Sequence, residues 1–281
     1  MSLLVFGHTG QVARALARLA PEAVFLSRAE ADLSNPAACA AAIRAQAPRA
    51  VINAAAWTAV DAAETQEAEA TVINADAPGA MARECAALGI PFLTISTDYV
   101  FDGSGSTPWT PDAPTGPLNA YGRSKLAGER AVQEAGGTTA ILRTSWVFSA
   151  DGANFLKTML RLSQTRDALS IVDDQIGGPT PAESIARAAL RISEAMTAGH
   201  PGGIWHIAGA PYVSWAEFAA WIFACAGRQV TITPIATTDY PTPAPRPLNS
   251  RLDCTTLARD FTLRPPDWKA QARADVKGLL T

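Results

Sequence analysis

The stretch running to Leu19 constrains the fold more than any other part of the chain. Leu3-Leu-Val-Phe6 is apolar at every position, which suits a strand buried on both faces of a parallel sheet. Gly7-His-Thr-Gly10-Gln-Val-Ala13 follows, and then Arg14-Ala-Leu-Ala-Arg-Leu19, which has helical spacing and strong helix formers. A strand, a Gly-rich turn and a helix within about 20 residues make the first unit of a doubly wound, dinucleotide-binding α/β fold. Gly7 and Gly10 let the backbone approach a pyrophosphate, which sits over the free N–H groups of the helix N-terminus. Ala13 stands where a third glycine is common, and a methyl is tolerated there at the helix–sheet contact.

The same alternation continues. Ala23–Leu26 reads as a second strand, Pro36–Gln46 as a helix capped by Asn35, Ala50–Asn53 as a third strand and Glu67–Leu88 as mostly helix. Pro91–Ser96, helix Leu118–Ala135 and Thr139–Arg143 complete a pattern that implies right-handed crossovers and a parallel sheet. Beyond Ser149 the spacing loosens: helices are expected over Asn154–Gln164, Pro181–Ala198 and Ser214–Ala226, and strands over Leu169–Asp173 and Gly203–Ile207. Pro234–Pro247, rich in Pro and Thr, reads as irregular. The expected organisation is a Rossmann domain over 1–150 with a return segment near 175–205. A smaller substrate-binding lobe takes 151–174 and 206–281.

Composition narrows the function classes. With 281 residues, 48% apolar and 17% charged, the chain is an ordinary globular α/β protein. A net charge of −3 gives no electrostatic case for nucleic acid or an anionic membrane. No apolar run reaches a membrane span, and no leader pattern opens the chain, so a cytoplasmic location is expected. Cys39, Cys85, Cys225 and Cys254 have no metal-like spacing and read as reduced thiols.

In such folds ligands bind beyond the C-terminal ends of the strands, so each strand end is a candidate. The third strand ends in Asn53-Ala54-Ala55-Ala56-Trp57-Thr58, whose small residues let a cofactor lie against the backbone. The fourth ends in Ser96-Thr97-Asp98-Tyr99, where the Thr97 hydroxyl can bond a carbonyl oxygen becoming an alkoxide. The fifth leads to Trp146, a flat apolar wall. Tyr121 and Lys125 lie four apart on a helix and share a face. An ammonium beside a phenol is expected to lower its pKa and make it a general acid for carbonyl reduction. After the second strand come Ser27 and Arg28 with no carboxylate until Glu30, which suits the 2′-phosphate of NADPH better than a free ribose diol, while NADH stays open.

These motifs resemble the extended short-chain dehydrogenase/reductases and, within them, the dTDP-4-dehydrorhamnose reductases. The likeness also rests on Thr58-x-Val60-Asp61-x-x-Glu64, Gly128-Glu129, Arg143-Thr-Ser-Trp146, Asp174-Gln175-x-Gly177-x-Pro179-Thr180 and Arg246-Pro-x-Asn249-Ser250. It implies reduction of the C4 keto group of a dTDP-6-deoxy-hexulose, with Thr97, Tyr121 and Lys125 catalytic. Gly7, Gly10, Gln11, Val12, Asp32, Leu33, Ala56, Trp57 and Thr58 would contact the dinucleotide together with Tyr121 and Lys125, Lys125 holding its nicotinamide ribose. Thr97, Asp98 and Trp146, with Gln175 and Arg246, would face the sugar. A 4,6-dehydratase would need a second carboxylate where Tyr99 stands. A related epimerase, or a partner-binding protein like the methionine adenosyltransferase regulatory subunit, stays open. Some relatives hold Mg²⁺ between subunits through glutamates; here the first-helix position is Ala15 and Glu183 is the one counterpart, so bound Mg²⁺ is doubtful and a homodimer stays open.

Overall fold

In the computed structural model, which describes residues 2–280, β1 (Leu3–Phe6) lies between β2 (Val24–Leu26) and β3 (Ala50–Asn53) in parallel register. Beyond β3 come β4 (Phe92–Thr97), β5 (Thr139–Thr144) and the strand Gly202–Ile207, completing a six-stranded parallel sheet. Strand order reverses between β1 and β3, so the crevice that binds ligands in such sheets opens above Phe6 and Asn53.

The β1 residues alternate between two cores. Leu3 and Val5 join α1 (Gln11–Leu19) and the helix Ala182–Thr197, whereas Leu4 and Phe6 join α2 (Pro36–Gln46) and the helix Ala77–Leu88. Burial on both faces is why the strand sequence shows no polar alternation. Asn35 caps α2 by accepting from Ala38 N at 3.1 Å. A third core, around Leu156, Phe218, Ile222, Trp268 and Val276, sits under the helices Phe155–Leu162, Trp215–Cys225 and Trp268–Leu280.

The structure refines one expectation, corrects a second and adds two helices. The helix expected over Glu67–Leu88 is present, but α4 (Glu67–Thr71) runs into α5 (Ala77–Leu88) through a π-turn at Val72–Asp76, and a short α3 (Val60–Ala63) precedes it. The turn accommodates a close crossing by α6 (Ala120–Glu134), since a Cβ on Gly128 would come within 1.9 Å of Asn74 O. Pro234 belongs to a strand, Thr231–Ile235, which pairs in parallel with Ala168–Val172 alone; a two-stranded sheet has only edges, where proline is tolerated. The helices Thr255–Phe261 and Trp268–Leu280 carried no sequence expectation at all.

Candidate active site

Thr97 closes β4 and Tyr121 opens α6, so the strand end and the helix start meet over the sheet. Asn119 caps α6 by accepting from Gly122 N at 2.8 Å, which fixes Tyr121 at the second helical position. Tyr121, Lys125 and Thr97 are all buried. Thr97 Oγ1 accepts from Tyr99 N at 3.2 Å and donates to Asp98 Oδ1 at 3.1 Å. The Tyr99 ring stands edge-on to Tyr121 at 5.5 Å.

The electrostatics differ from the expected scheme in one respect. Lys125 does share the face of Tyr121, but its Nζ donates to Ile95 O at 2.8 Å. Burial pushes the Tyr121 phenol up to about 12, the nearby Asp98 charge adds to this, and a hydrogen bond with the Thr97 side chain opposes it. Desolvation outweighs any help from the ammonium in this arrangement, so the phenol is a firmly protonated group. Burial also pulls Lys125 down to about 8, while the Glu129 charge one turn further along α6 works to keep it protonated.

Behind Lys125 lies a buried polar row. Ser96, Arg143 and His206 face one another across β4, β5 and Gly202–Ile207. Glu129 accepts from Ser96 Oγ and takes both nitrogens of a bidentate Arg143 contact. Arg143 Nη1 also bonds Pro111 O at 3.0 Å and lies 3.3 Å from His206 Nε2. His206 Nδ1 must then donate to Trp109 O at 3.0 Å, a neutral tautomer consistent with a pKa driven to about 3 by burial and Arg143.

The dinucleotide candidates gather at the β1–β3 crevice. Gly7 has φ +109°, and a Cβ there would crowd Ala54 and Ala55 at 3.3 Å. Gly10 caps α1 with no side-chain acceptor, open space stands above it and the first turn has no acid, so the helix start suits a pyrophosphate. Val12 is half-buried and Leu33 buried. The Gln11 side chain is turned away, accepting from Ser149 Oγ at 3.0 Å and Asn154 Nδ2 at 2.8 Å. At the end of β2, Ser27 donates to Glu30 through both N and Oγ, while Arg28, 81% exposed, reaches Asp32 at 3.3 Å. Ala54, Ala55, Ala56, Trp57 and Thr58 form the loop after β3, and Asn74 clamps that loop: Oδ1 accepts from Trp57 N at 2.9 Å and Nδ2 donates to Trp57 O at 3.1 Å. Sequence reasoning missed Asn74, although Pro78 within the expected helix, with no N–H for the carbonyl of residue 74, was the signal of an irregular turn there.

Among the candidates for sugar contact, Asp98 is buried with Oδ2 unpaired, and burial raises its carboxyl to about 6. Trp146 holds a left-handed backbone, φ +49°, uncommon for a bulky residue and a sign of local strain. Trp215, which the sequence placed only within an expected helix, stacks on it at 3.5 Å. Trp215 Nε1 donates to Gln175 Oε1 at 3.1 Å, and Gln175 Nε2 to Thr237 Oγ1 at 3.1 Å. The Arg246 guanidinium is paired with Asp61 at 2.9 Å. Ala15 is fully buried, Glu183 is paired with Arg187 at 2.6 Å, and among the described residues no three potential ligands cluster as a metal site. None of the described helices is long and apolar enough to cross a membrane.

Comparison with known proteins places this arrangement in a family. The sequence model described as RmlD substrate binding domain matches residues 1–280. A dTDP-4-dehydrorhamnose reductase of Sinorhizobium fredii is 44% identical over 290 aligned positions, covering 100% of this chain and 98% of that protein. A crystal structure of a dTDP-4-dehydrorhamnose reductase from Clostridium acetobutylicum superposes with a TM-score of 0.95 at 34% identity, covering 100% of both chains. Another, from Bacillus anthracis in complex with NADP, gives 0.92 at 31% identity over 99% of this chain and 100% of that one.

Proposed function

The chain belongs to the RmlD substrate-binding domain family, and from that premise we propose that it is a dTDP-4-dehydrorhamnose reductase. It reduces the C4 keto group of dTDP-4-dehydro-6-deoxy-L-mannose to give dTDP-L-rhamnose, a building block of cell-surface polysaccharide. NADPH, when bound, supplies the hydride; the relative from Bacillus anthracis binds NADP. The residues present fit such a cofactor at the uncapped start of α1 and along Ala54–Thr58. Gly7, Gly10 and Val12 would line the pyrophosphate turn, and Ser27, Arg28 and Asp32 the adenosine ribose.

The protein's own chemistry is proton delivery and charge control. Tyr121 Oη would give its proton to the C4 oxygen as negative charge develops there. Thr97 Oγ1 would stabilise that oxygen with a second hydrogen bond. Lys125 would hold a positive charge at the base of the site and orient the nicotinamide ribose. Trp146 would form the wall against which the sugar lies, with Asp98 and Gln175 ordering its hydroxyls.

The observation that carries this reading is the full-length likeness at 44% identity, met by Thr97, Tyr121 and Lys125 buried at the C-terminal end of one sheet. The experiment is an assay of the purified protein with NADPH and a panel of 4-keto-6-deoxy nucleotide sugars, following loss of the reduced-nicotinamide absorbance. Rapid turnover with the dTDP-linked rhamnose precursor is expected. Tight NADPH binding with no turnover on any keto sugar would leave a partner-binding protein as the better account.

A further inference from the structure

The segment Thr58-x-Val60-Asp61-x-x-Glu64 leads straight out of the loop that would cradle the cofactor, yet none of the chemistry above uses its two acids. Asp61 and Glu64 are three apart at α3, and each grips a different part of the molecule. Asp61 holds the strap 241–247: Oδ1 accepts from Ala244 N at 3.1 Å and Oδ2 from Arg246 Nη2 at 2.9 Å. Arg246 Nη1 donates back to Ala244 O at 2.7 Å, so the guanidinium closes the strap on itself. Glu64 Oε1 accepts from Ala120 N at 2.7 Å. Ala120 is the first residue of α6, and its N–H has no acceptor within the helix.

Asn119 links the two grips. Its Oδ1 caps α6 at Gly122 N and its Nδ2 donates to Pro245 O, both at 2.8 Å. The Tyr99 ring lies where the charges of Arg246 and Asp61 are felt, and it packs edge-on against Tyr121. Cofactor loop, strap and proton-donor helix thus converge on one short helix. Stability alone is a poor explanation for this arrangement. Asp61 is 44% exposed, and ion pairs open to solvent contribute little to folding.

We infer that Asp61 and Glu64 are positioning residues for the reduction, Asp61 setting the strap that closes the sugar side and Glu64 setting where Tyr121 stands along the axis of α6. The inference rests on the reductase reading for its kinetic consequences but not for its structural ones. Neither acid touches the reacting atoms; each acts through the element it holds. Their effects separate because they hold different elements: loss of the strap weakens sugar binding, while a displaced Tyr121 slows the proton step.

The test combines steady-state kinetics of Asp61→Ala, Glu64→Ala and Glu64→Gln with backbone amide exchange over 118–124 and 240–250. Asp61→Ala is expected to raise KM for the sugar nucleotide about tenfold with kcat within about twofold of wild type. Glu64→Ala is expected to lower kcat about tenfold with KM nearly unchanged. Glu64→Gln, whose amide oxygen still accepts the Ala120 N–H, should recover to within about threefold of wild type. An unchanged KM in Asp61→Ala, an unchanged kcat in Glu64→Ala, or equal impairment of both Glu64 variants overturns the inference. Should the wild-type protein reduce no keto sugar, the functional reading fails, and exchange alone decides. Asp61→Ala must then speed exchange at Ala244 about tenfold, and an unchanged rate overturns the inference.

Discussion

Glu129 and Arg143 form a bidentate ion pair, Oε1 to Nε at 2.9 Å and Oε2 to Nη2 at 2.7 Å, with only 2% and 3% of the two side chains exposed. Glu129 lies one helical turn beyond Lys125, so the same carboxylate ties α6 to β5 and sets the field at the amine. The pair is more than a structural staple.

Breaking it from one side leaves a charge buried and unpaired. Arg143→Met should cost about 3–5 kcal/mol of unfolding free energy, because Glu129 keeps only Ser96 as a side-chain partner. Replacing both partners, Glu129→Leu with Arg143→Met, should recover much of that loss, since neither charge is then stranded. Urea denaturation of the three proteins measures both effects. A single variant within about 1 kcal/mol of wild type would show that the pair is already solvated.

Tyr121 offers the most direct test of the chemistry. Tyr121→Phe removes one oxygen from a site whose ring stays packed against Tyr99. The expected loss in kcat is two to four orders of magnitude, about what a positioned general acid contributes. NADPH affinity, followed by nicotinamide fluorescence, should hardly change, because in the proposed reaction the phenol proton serves the keto oxygen. A variant with near-normal kcat would move proton donation to another group.

The two groups of that pair titrate far apart, and the order determines the pH profile. Tyr121 keeps its proton up to about 12, whereas Lys125, with its charged form disfavoured by burial, loses its own near 8. The basic limb of kcat/KM for NADPH should therefore fall with an apparent pKa close to 8, well below the usual lysine value. A limb at the ordinary lysine pKa would mean that Lys125 is better hydrated in solution than its burial implies.

Local chemistry made much of the fold legible. An apolar run without alternation marked β1 because that strand is covered on both faces, and Asn35 marked the start of α2 because a short polar side chain caps there. The π-turn at Val72–Asp76 was not legible from periodicity. Pro78, which has no N–H to offer the carbonyl of residue 74, was its one local sign; the close approach of Gly128, more than fifty residues away, is a tertiary contact with no local pattern. Trp215 escaped notice for a similar reason: its stacking on Trp146 is a contact between residues 69 positions apart, which no local pattern shows. The spacing of Tyr121 and Lys125 did foretell a shared face. What it could not supply was the balance between an ammonium four residues away and the burial of both groups, and burial dominates.

Asp98 gives the last prediction, and here the sign follows from the acid's environment. Its folded pKa is raised from 3.8 to about 6, chiefly by burial, and Oδ2 has no partner. Between those values the folded chain holds a proton that the unfolded chain has released, so Asp98 contributes stability below about pH 4 that is lost as pH rises through about 6. The size of the change is on the order of 3 kcal/mol. Asp98→Asn keeps the shape without the ionisation, so its stability should exceed that of wild type at neutral pH and stay flatter between pH 4 and 7. Denaturation midpoints across that range measure the slope. Parallel curves for the two proteins would mean that the carboxylate is as well solvated when folded as when unfolded, and that Asp98 is free to meet a substrate hydroxyl in its charged form at any working pH.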